Sequence, residues 1–204
     1  MHPVEALIPG AQGRVLAVLS ETTAELNLRT VARLADVSPA QASRVLPALV
    51  ELGLVERREV PPSSLFRLNH DNLAARFVLE LARSRQTAVE LIGVAAGDLP
   101  LPPVSVIIFG SFARREAGRN SDIDILVVRP DDVVEDDPTW VAGVDRFREQ
   151  VRATTGNRVE IVEATRAEAR EKLSGAGQLW RDIAVEGVVV LGATLDELRG
   201  GPLG

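Results

Sequence analysis

Apolar residues recur at helical spacing through Gln12–Leu19, where Val15, Leu16 and Leu19 share a face, and the pattern predicts a second short helix over Leu28–Ala35. Asp36-Val37 reads as a turn. Ser38-Pro39-Ala40-Gln41 is a strong helix start: a serine that can cap, proline in the first turn, and glutamine three residues on to complete a capping box. The helix it opens turns Val45, Leu46, Leu49, Val50 and Leu52 inward and stops at Gly53. Pro47 lies inside it and must free the carbonyl of Ser43, with no reason legible in the pattern. Two short strands follow, Leu54–Val60 and Leu65–Leu68, joined by Pro61-Pro62-Ser63-Ser64. One long helix is expected from Asp71 to Ala96, with Leu73, Phe77, Leu81, Ala88 and Ile92 as its apolar stripe. The stripe suits either a dimer seam or packing within the chain.

Beyond the break at Pro100-Leu101-Pro102-Pro103 the period changes. Val104–Phe109 is a β-branched apolar run, hence a buried strand, and Ser111–Ala117 a short helix. Asp122–Val128 alternates and then turns apolar, a second strand. Asp137-Pro138 starts a helix that runs to Thr154, and Asn157–Val162 is a third strand. Thr165-Arg166-Ala167-Glu168 is another capping box, with its helix ending near Lys172. A last helix, Ala176–Glu186, stops at Gly187 before a short strand, Val188–Leu191. The expected division is residues 1–70, a connecting helix at 71–99, and an α/β (α+β) domain at 100–204, its mixed sheet flanked by helices.

Helix, short helix, turn, capped helix and hairpin is the order of a winged helix-turn-helix. Residues 11–69 resemble the winged-helix domains of small bacterial transcription regulators, down to the Leu-Gly-Leu-Val-Glu-Arg exit from the second helix into the wing. For DNA, the expected base contacts are Gln41, Ser43 and Arg44, and the expected phosphate contacts Arg57, Arg58 and Arg67. Residues 1–72 hold seven arginines against eight acidic residues, so binding through them is weak unless a dimer doubles it. The competing reading is a module that contacts only protein.

Composition removes several chemistries. The 204 residues include no cysteine, which excludes disulfides, thiolate metal sites and thiol nucleophiles. Histidine occurs only as His2 and His70, and Lys172 is the sole lysine, so a histidine-based centre and a P-loop both lack their residues. The net charge of −6 argues against non-specific coating of nucleic acid. No signal-like leader and no apolar run of membrane-spanning length is present, so the expected compartment is the cytoplasm, away from membranes.

Chemistry concentrates in Gly110-Ser111-Phe112-Ala113-Arg114 and Ser121-Asp122-Ile123-Asp124. Gly110-Ser111 closes a buried strand and opens a helix, a place suited to phosphate. Asp122 and Asp124 lie two apart on a strand, so both side chains point to one face, where their charges call for a cation. Oxygen ligands without histidine suit Mg²⁺, which leaves coordination positions for substrate phosphates. A phosphate cradle followed by a carboxylate pair points to metal-assisted phosphoryl or nucleotidyl transfer. On the third strand Glu160, mid-strand among apolar residues, is the preferred third carboxylate and Glu163 the alternative.

At these residues the stretch 105–163 resembles a minimal nucleotidyltransferase of the DNA polymerase β superfamily. The matching residues are Gly110, Ser111, Ala113, Arg114, Ser121, Asp122, Ile123 and Asp124, with Val159-Glu160-Ile161-Val162 as the later acidic strand. The resemblance implies a nucleoside triphosphate held by Gly110, Ser111, Arg114 and Ser121, and Mg²⁺ held by Asp122, Asp124 and Glu160. Glu160 would complete the metal site or take the proton of an acceptor hydroxyl on protein, RNA or a small molecule. Two positions depart from the family: Arg115 stands where glycine is usual, and Glu160 where aspartate is. Such domains are often paired with small helical toxins, so the alternative is a DNA-binding regulator or antitoxin whose transferase-like domain binds only nucleotide or partner. A homodimer through the long helix is also expected.

Overall fold

A computed structural model of the chain describes residues 2–114 and 121–200. Arg115, one of the two departures, and the end of the helix expected at Ser111–Ala117 lie outside the described residues. Two compact units are formed, residues 1–85 and 86–204.

The first unit opens with α1 (Pro3–Leu7) and α2 (Ala11–Ser20), followed by a two-residue strand β1 (Leu26–Asn27), α3 (Leu28–Leu34) and α4 (Pro39–Glu51). Asp36 takes φ of 48° between α3 and α4, a left-handed conformation that aspartate tolerates. The capping box at α4 is complete: the Gln41 amide N–H donates to Ser38 Oγ at 3.1 Å, and Gln41 Oε1 accepts from the Ser38 amide at 2.9 Å. At the other end Gly53 adopts φ of 71°, and the Leu54 amide reaches the Leu49 carbonyl at 3.0 Å, closing a Schellman turn. The helix continues through Pro47, which is exposed, so water can solvate the carbonyl that proline leaves unpaired.

The hairpin of β2 (Val55–Val60) and β3 (Ser63–Leu68) is longer than expected in its second strand, and β1 adds to its edge in the order β1-β3-β2. Leu16, Leu19, Val31, Leu46, Leu49, Phe66 and Leu68 fill the core of this unit.

Helix α5 (Leu73–Gly97) contributes to both cores, with Ala75 and Val78 in the first and Ile92, Ala95 and Ala96 in the second. The expected stripe is therefore only partly buried. Ile92 is inside, but Leu73 and Phe77 are 69% and 68% exposed, because Ala75 and Val78 face the first core instead.

The second unit is a four-stranded mixed sheet in the order β6-β5-β4-β7. Strands β4 (Ser105–Phe109) and β5 (Ile123–Arg129) run antiparallel, and β6 (Val159–Thr165) lies parallel to β5 after the crossover helix α7 (Pro138–Thr155). Strand β7 (Val188–Gly192) pairs antiparallel with β4. The one-turn helix α6 (Gly110–Ala113) follows β4, while α8 (Arg166–Leu173), α9 (Gln178–Glu186) and α10 (Leu195–Leu198) occupy the last third of the unit.

Alternation sorts the strands between two layers. Ile108, Ile123, Ile125 and Val127 pack with Trp140, Val144 and Phe147 of α7, whereas Ile107, Leu126 and Val128 pack with Ala169, Leu173 and Ile183 of α8 and α9. By this parity Asp122 and Asp124 share the face of Leu126 and Val128. Among the described residues no helix is long and apolar enough to cross a membrane.

Candidate functional site

Phe109, the last residue of β4, pairs with Asp124 on β5, and Asp124 is in turn the parallel neighbour of Glu160 on β6. The turn from β4 into α6 thus lies directly over Asp124. Gly110 takes φ of 70°, and a Cβ at that position would stand 2.2 Å from Asp124 Oδ2. Only glycine fits, for two reasons: the left-handed backbone and the carboxylate pressed against its Cα. Helix α6 spans only one turn, so the macrodipole expected at Gly110-Ser111 is small, and the close backbone approach is the stronger feature.

Burial, then the charges of Asp122 and Glu160, push the Asp124 carboxyl above the ordinary carboxylate range, while the Arg114 guanidinium opposes them. Asp122, Asp124, Glu160 and Arg114 therefore act on one spot. Glu163 does not join them: its carboxylate accepts a hydrogen bond from Trp140 Nε1 at 2.6 Å, on the face of α7. Glu160 does not lie mid-strand among apolar neighbours. It is the second residue of β6, half exposed, and paired with Arg158 at 2.7 Å rather than unpaired among apolar neighbours. Among the described residues no group of three or more His, Asp or Glu side chains is gathered closely enough to hold a metal ion. The charges of Asp122 and Asp124 act on each other, and their all-oxygen chemistry suits a hard cation.

The remaining site candidates sit around this spot. Ser111 begins the turn after Gly110 and is half-buried. Ser121 precedes Asp122, its carbonyl accepting from Asn157 Nδ2 at 2.9 Å, which ties the entry of β5 to that of β6. Arg114 Nη1 donates to Glu186 of α9 at 2.7 Å. Sequence reasoning missed Glu186, because a pair 72 positions apart leaves no local pattern.

In the first unit, Ser43 and Arg44 are exposed on α4, as is Gln41, whose Oε1 is committed to the cap. The wing arginines are all tied to carboxylates: Arg57 to Glu59 at 2.6 Å, Arg67 to Glu56 at 2.7 Å, and Arg58 to both oxygens of Glu25, whose carboxyl it holds below the usual range. Arg29 and Arg33 on α3 and Arg44 on α4 are exposed and, among the described residues, form no ion pair. Positive charge available to a partner therefore lies on the two helices rather than the wing. A groove of about 1140 Å³ between α4 and the hairpin, lined by Ser43, Leu46, Pro47, Arg57 and Phe66, lies beside this surface.

Residues 96–187 match the family model of the nucleotidyltransferase domain, and residues 13–59 that of the IclR helix-turn-helix domain. No curated protein matches the chain. Among solved structures, a toxin–antitoxin with AMP-PNP is 19% identical over 54% of this chain and 77% of that one, with a TM-score of 0.38. A mutant of the toxin–antitoxin MntA–HpeT is 17% identical over 53% and 77%, with a TM-score of 0.39. A MarR-family transcriptional regulator from Rhodococcus sp. RHA1 is 26% identical over 43% and 64%, with a TM-score of 0.33.

Proposed function

For a chain that joins an IclR-type helix-turn-helix domain to a nucleotidyltransferase domain, we propose Mg²⁺-dependent transfer of a nucleoside monophosphate from a nucleoside triphosphate to an acceptor hydroxyl, with DNA recognition by the first unit. The observation that carries this reading is the Asp124 carboxylate seated against Gly110, on one face with Asp122 and Glu160. Asp122 and Asp124 would hold the metal, which when bound neutralises the phosphates and polarises the reacting phosphorus. The Gly110 backbone and the Ser111 hydroxyl approach the phosphates, Arg114 supplies their counter-charge, and Ser121 lines the nucleotide. The acceptor oxygen attacks the α-phosphorus, the bond to the β-phosphate breaks, pyrophosphate leaves, and Glu160 takes the hydroxyl proton.

Incubation with each α-labelled nucleoside triphosphate and Mg²⁺, alone and with the product of the adjacent gene, tests the reading. Transfer of label with release of one pyrophosphate per adduct is expected. The Arg158–Glu160 pair and the absence of a three-carboxylate cluster among the described residues favour a second reading, a regulator or antitoxin that binds nucleotide or a small helical toxin without catalysis. Nucleotide binding with no pyrophosphate released from any of the four triphosphates would decide for it.

On DNA, Arg44→Ala is expected to relax sequence preference at a cost of about 1–3 kcal/mol. Arg57→Ala changes affinity little, since Glu59 already neutralises that side chain. With Arg29, Arg33 and Arg44 as the cations engaged, the slope of log K against log salt should be roughly −3. A slope near zero, or no binding at low salt, would make the first unit a protein-contact module.

The exposed Leu73 and Phe77 are read as part of a homodimer contact. Sedimentation of the wild type should give a dimer, and Phe77→Glu a folded monomer. A wild-type monomer at all accessible concentrations would reject the contact.

A further inference from the structure

Asp122 stands one residue outside β5, which begins at Ile123, so the strand ladder alone does not hold it. Its two neighbours are held by the segment that leads into β6. On one side the Ile123 amide donates to the Arg158 carbonyl at 2.8 Å, and on the other the Ser121 carbonyl accepts from Asn157 Nδ2 at 2.9 Å. The residues flanking Asp122 are thereby tied to two consecutive residues, one through its backbone and one through its side chain. Asn157 is itself anchored. Its amide donates to Thr155 Oγ1 at 3.3 Å, Thr155 Oγ1 donates to the Val151 carbonyl at 2.8 Å, and the Gly156 amide reaches the Arg152 carbonyl at 2.8 Å. Val151 is buried in the same core as Ile123 and Val159. A run of hydrogen bonds therefore leads from the buried end of α7 to the backbone beside Asp122. The charges of Asp122 and Asp124 act on each other, so without a cation between them the two carboxylates tend to spread. A carboxylate free to spread must be drawn back when a cation binds, at a cost in affinity.

We propose that Asn157 is a positioning residue for cation binding: its side-chain amide fixes the backbone at Asp122, so that this carboxylate is already in place with Asp124 when a divalent cation arrives. The role rests on the nucleotidyl-transfer reading and adds to it a residue outside the recognised motif.

Titration of the full chain with Mn²⁺ alone, followed through the paramagnetic resonance of the free ion, tests it. Asn157→Ala should weaken Mn²⁺ binding about tenfold, the scale expected when a residue orienting a metal ligand is lost. Asn157→Asp keeps the size of the side chain, removes the donor and adds a negative charge. Charge alone would tighten the binding of a cation, whereas loss of the hydrogen bond weakens it, and weaker binding is the expected result. In the labelling reaction, the Mg²⁺ concentration giving half the maximal rate should rise about tenfold for Asn157→Ala, with kcat at saturating Mg²⁺ nearly unchanged. Thr154→Val removes a different hydrogen bond at the same helix end, from Thr154 Oγ1 to the Gln150 carbonyl, and should bind Mn²⁺ as the wild type does. Wild-type affinity in Asn157→Ala, or tighter binding by Asn157→Asp, would overturn the positioning role. Equal losses in Thr154→Val and Asn157→Ala would also overturn it, since the end of α7 would then act as a whole. A wild type that binds neither Mn²⁺ nor any nucleoside triphosphate removes the underlying reading and this role with it.

Discussion

Replacing Asp122 and Asp124 together by asparagine should lower triphosphate-dependent labelling by on the order of 1,000-fold or more while leaving the second unit folded. The same change should stabilise the metal-free protein at neutral pH. Burial first, and then Asp122 and Glu160, raise the Asp124 carboxyl above 3.8. A carboxyl so raised binds its proton more tightly in the folded chain than in the unfolded one. Stability is therefore greatest when Asp124 is protonated, falls as pH rises from 3.8 through the raised value, and stays reduced above it. Asparagine carries no such charge, so the melting-temperature difference between variant and wild type in EDTA should open across that interval and persist at neutral pH. A variant that still labels acceptor, or that melts below wild type at neutral pH, would remove the aspartates from the proposed role.

Gly110→Ala should be nearly as damaging to activity, although it adds one methyl group and touches no charge. At φ of 70° an alanine costs about 1–2 kcal/mol in backbone strain alone. Its methyl would also stand 2.2 Å from Asp124 Oδ2, so the carboxylate must leave the place where the turn holds it. The two costs separate in a cycle. In an Asp124→Ala background the steric part disappears, and Gly110→Ala should then cost only the strain. Equal costs in both backgrounds, measured by chemical denaturation, would show that the carboxylate moves aside freely.

The parts of this molecule legible in its sequence are those that local chemistry decides. Ser38 with Gln41, and Thr165 with Glu168, form capping boxes within four residues, and both helix starts are found where they are expected. The aspartates two apart at the start of β5 and the glycine that follows β4 are equally local. Elements held mainly by contact with distant segments were not legible: β1 exists because Leu26 and Asn27 pair with Phe66 and Leu65. Strand β6 outruns its expected end because its pairing with β5 continues to Thr165. The same holds for side-chain partners. Glu163 read as a spare carboxylate until the fold put Trp140 against it, and the wing arginines read as free cations until Glu25, Glu56 and Glu59 came beside them. Charge counted along a chain does not reveal which charges are already satisfied.

The hydrogen bond from Trp140 to Glu163 also makes the protein its own optical reporter. The chain has two tryptophans and no tyrosine. Both tryptophans lie in the second unit: Trp140 is buried with its indole N–H bonded, and Trp180 lies beneath the Lys172 ammonium. Indole emission therefore follows the unit with the aspartates alone, while circular dichroism follows the helices of both units. Comparing the two signals during one thermal ramp would reveal whether the units melt together or in turn, with no dye or label attached.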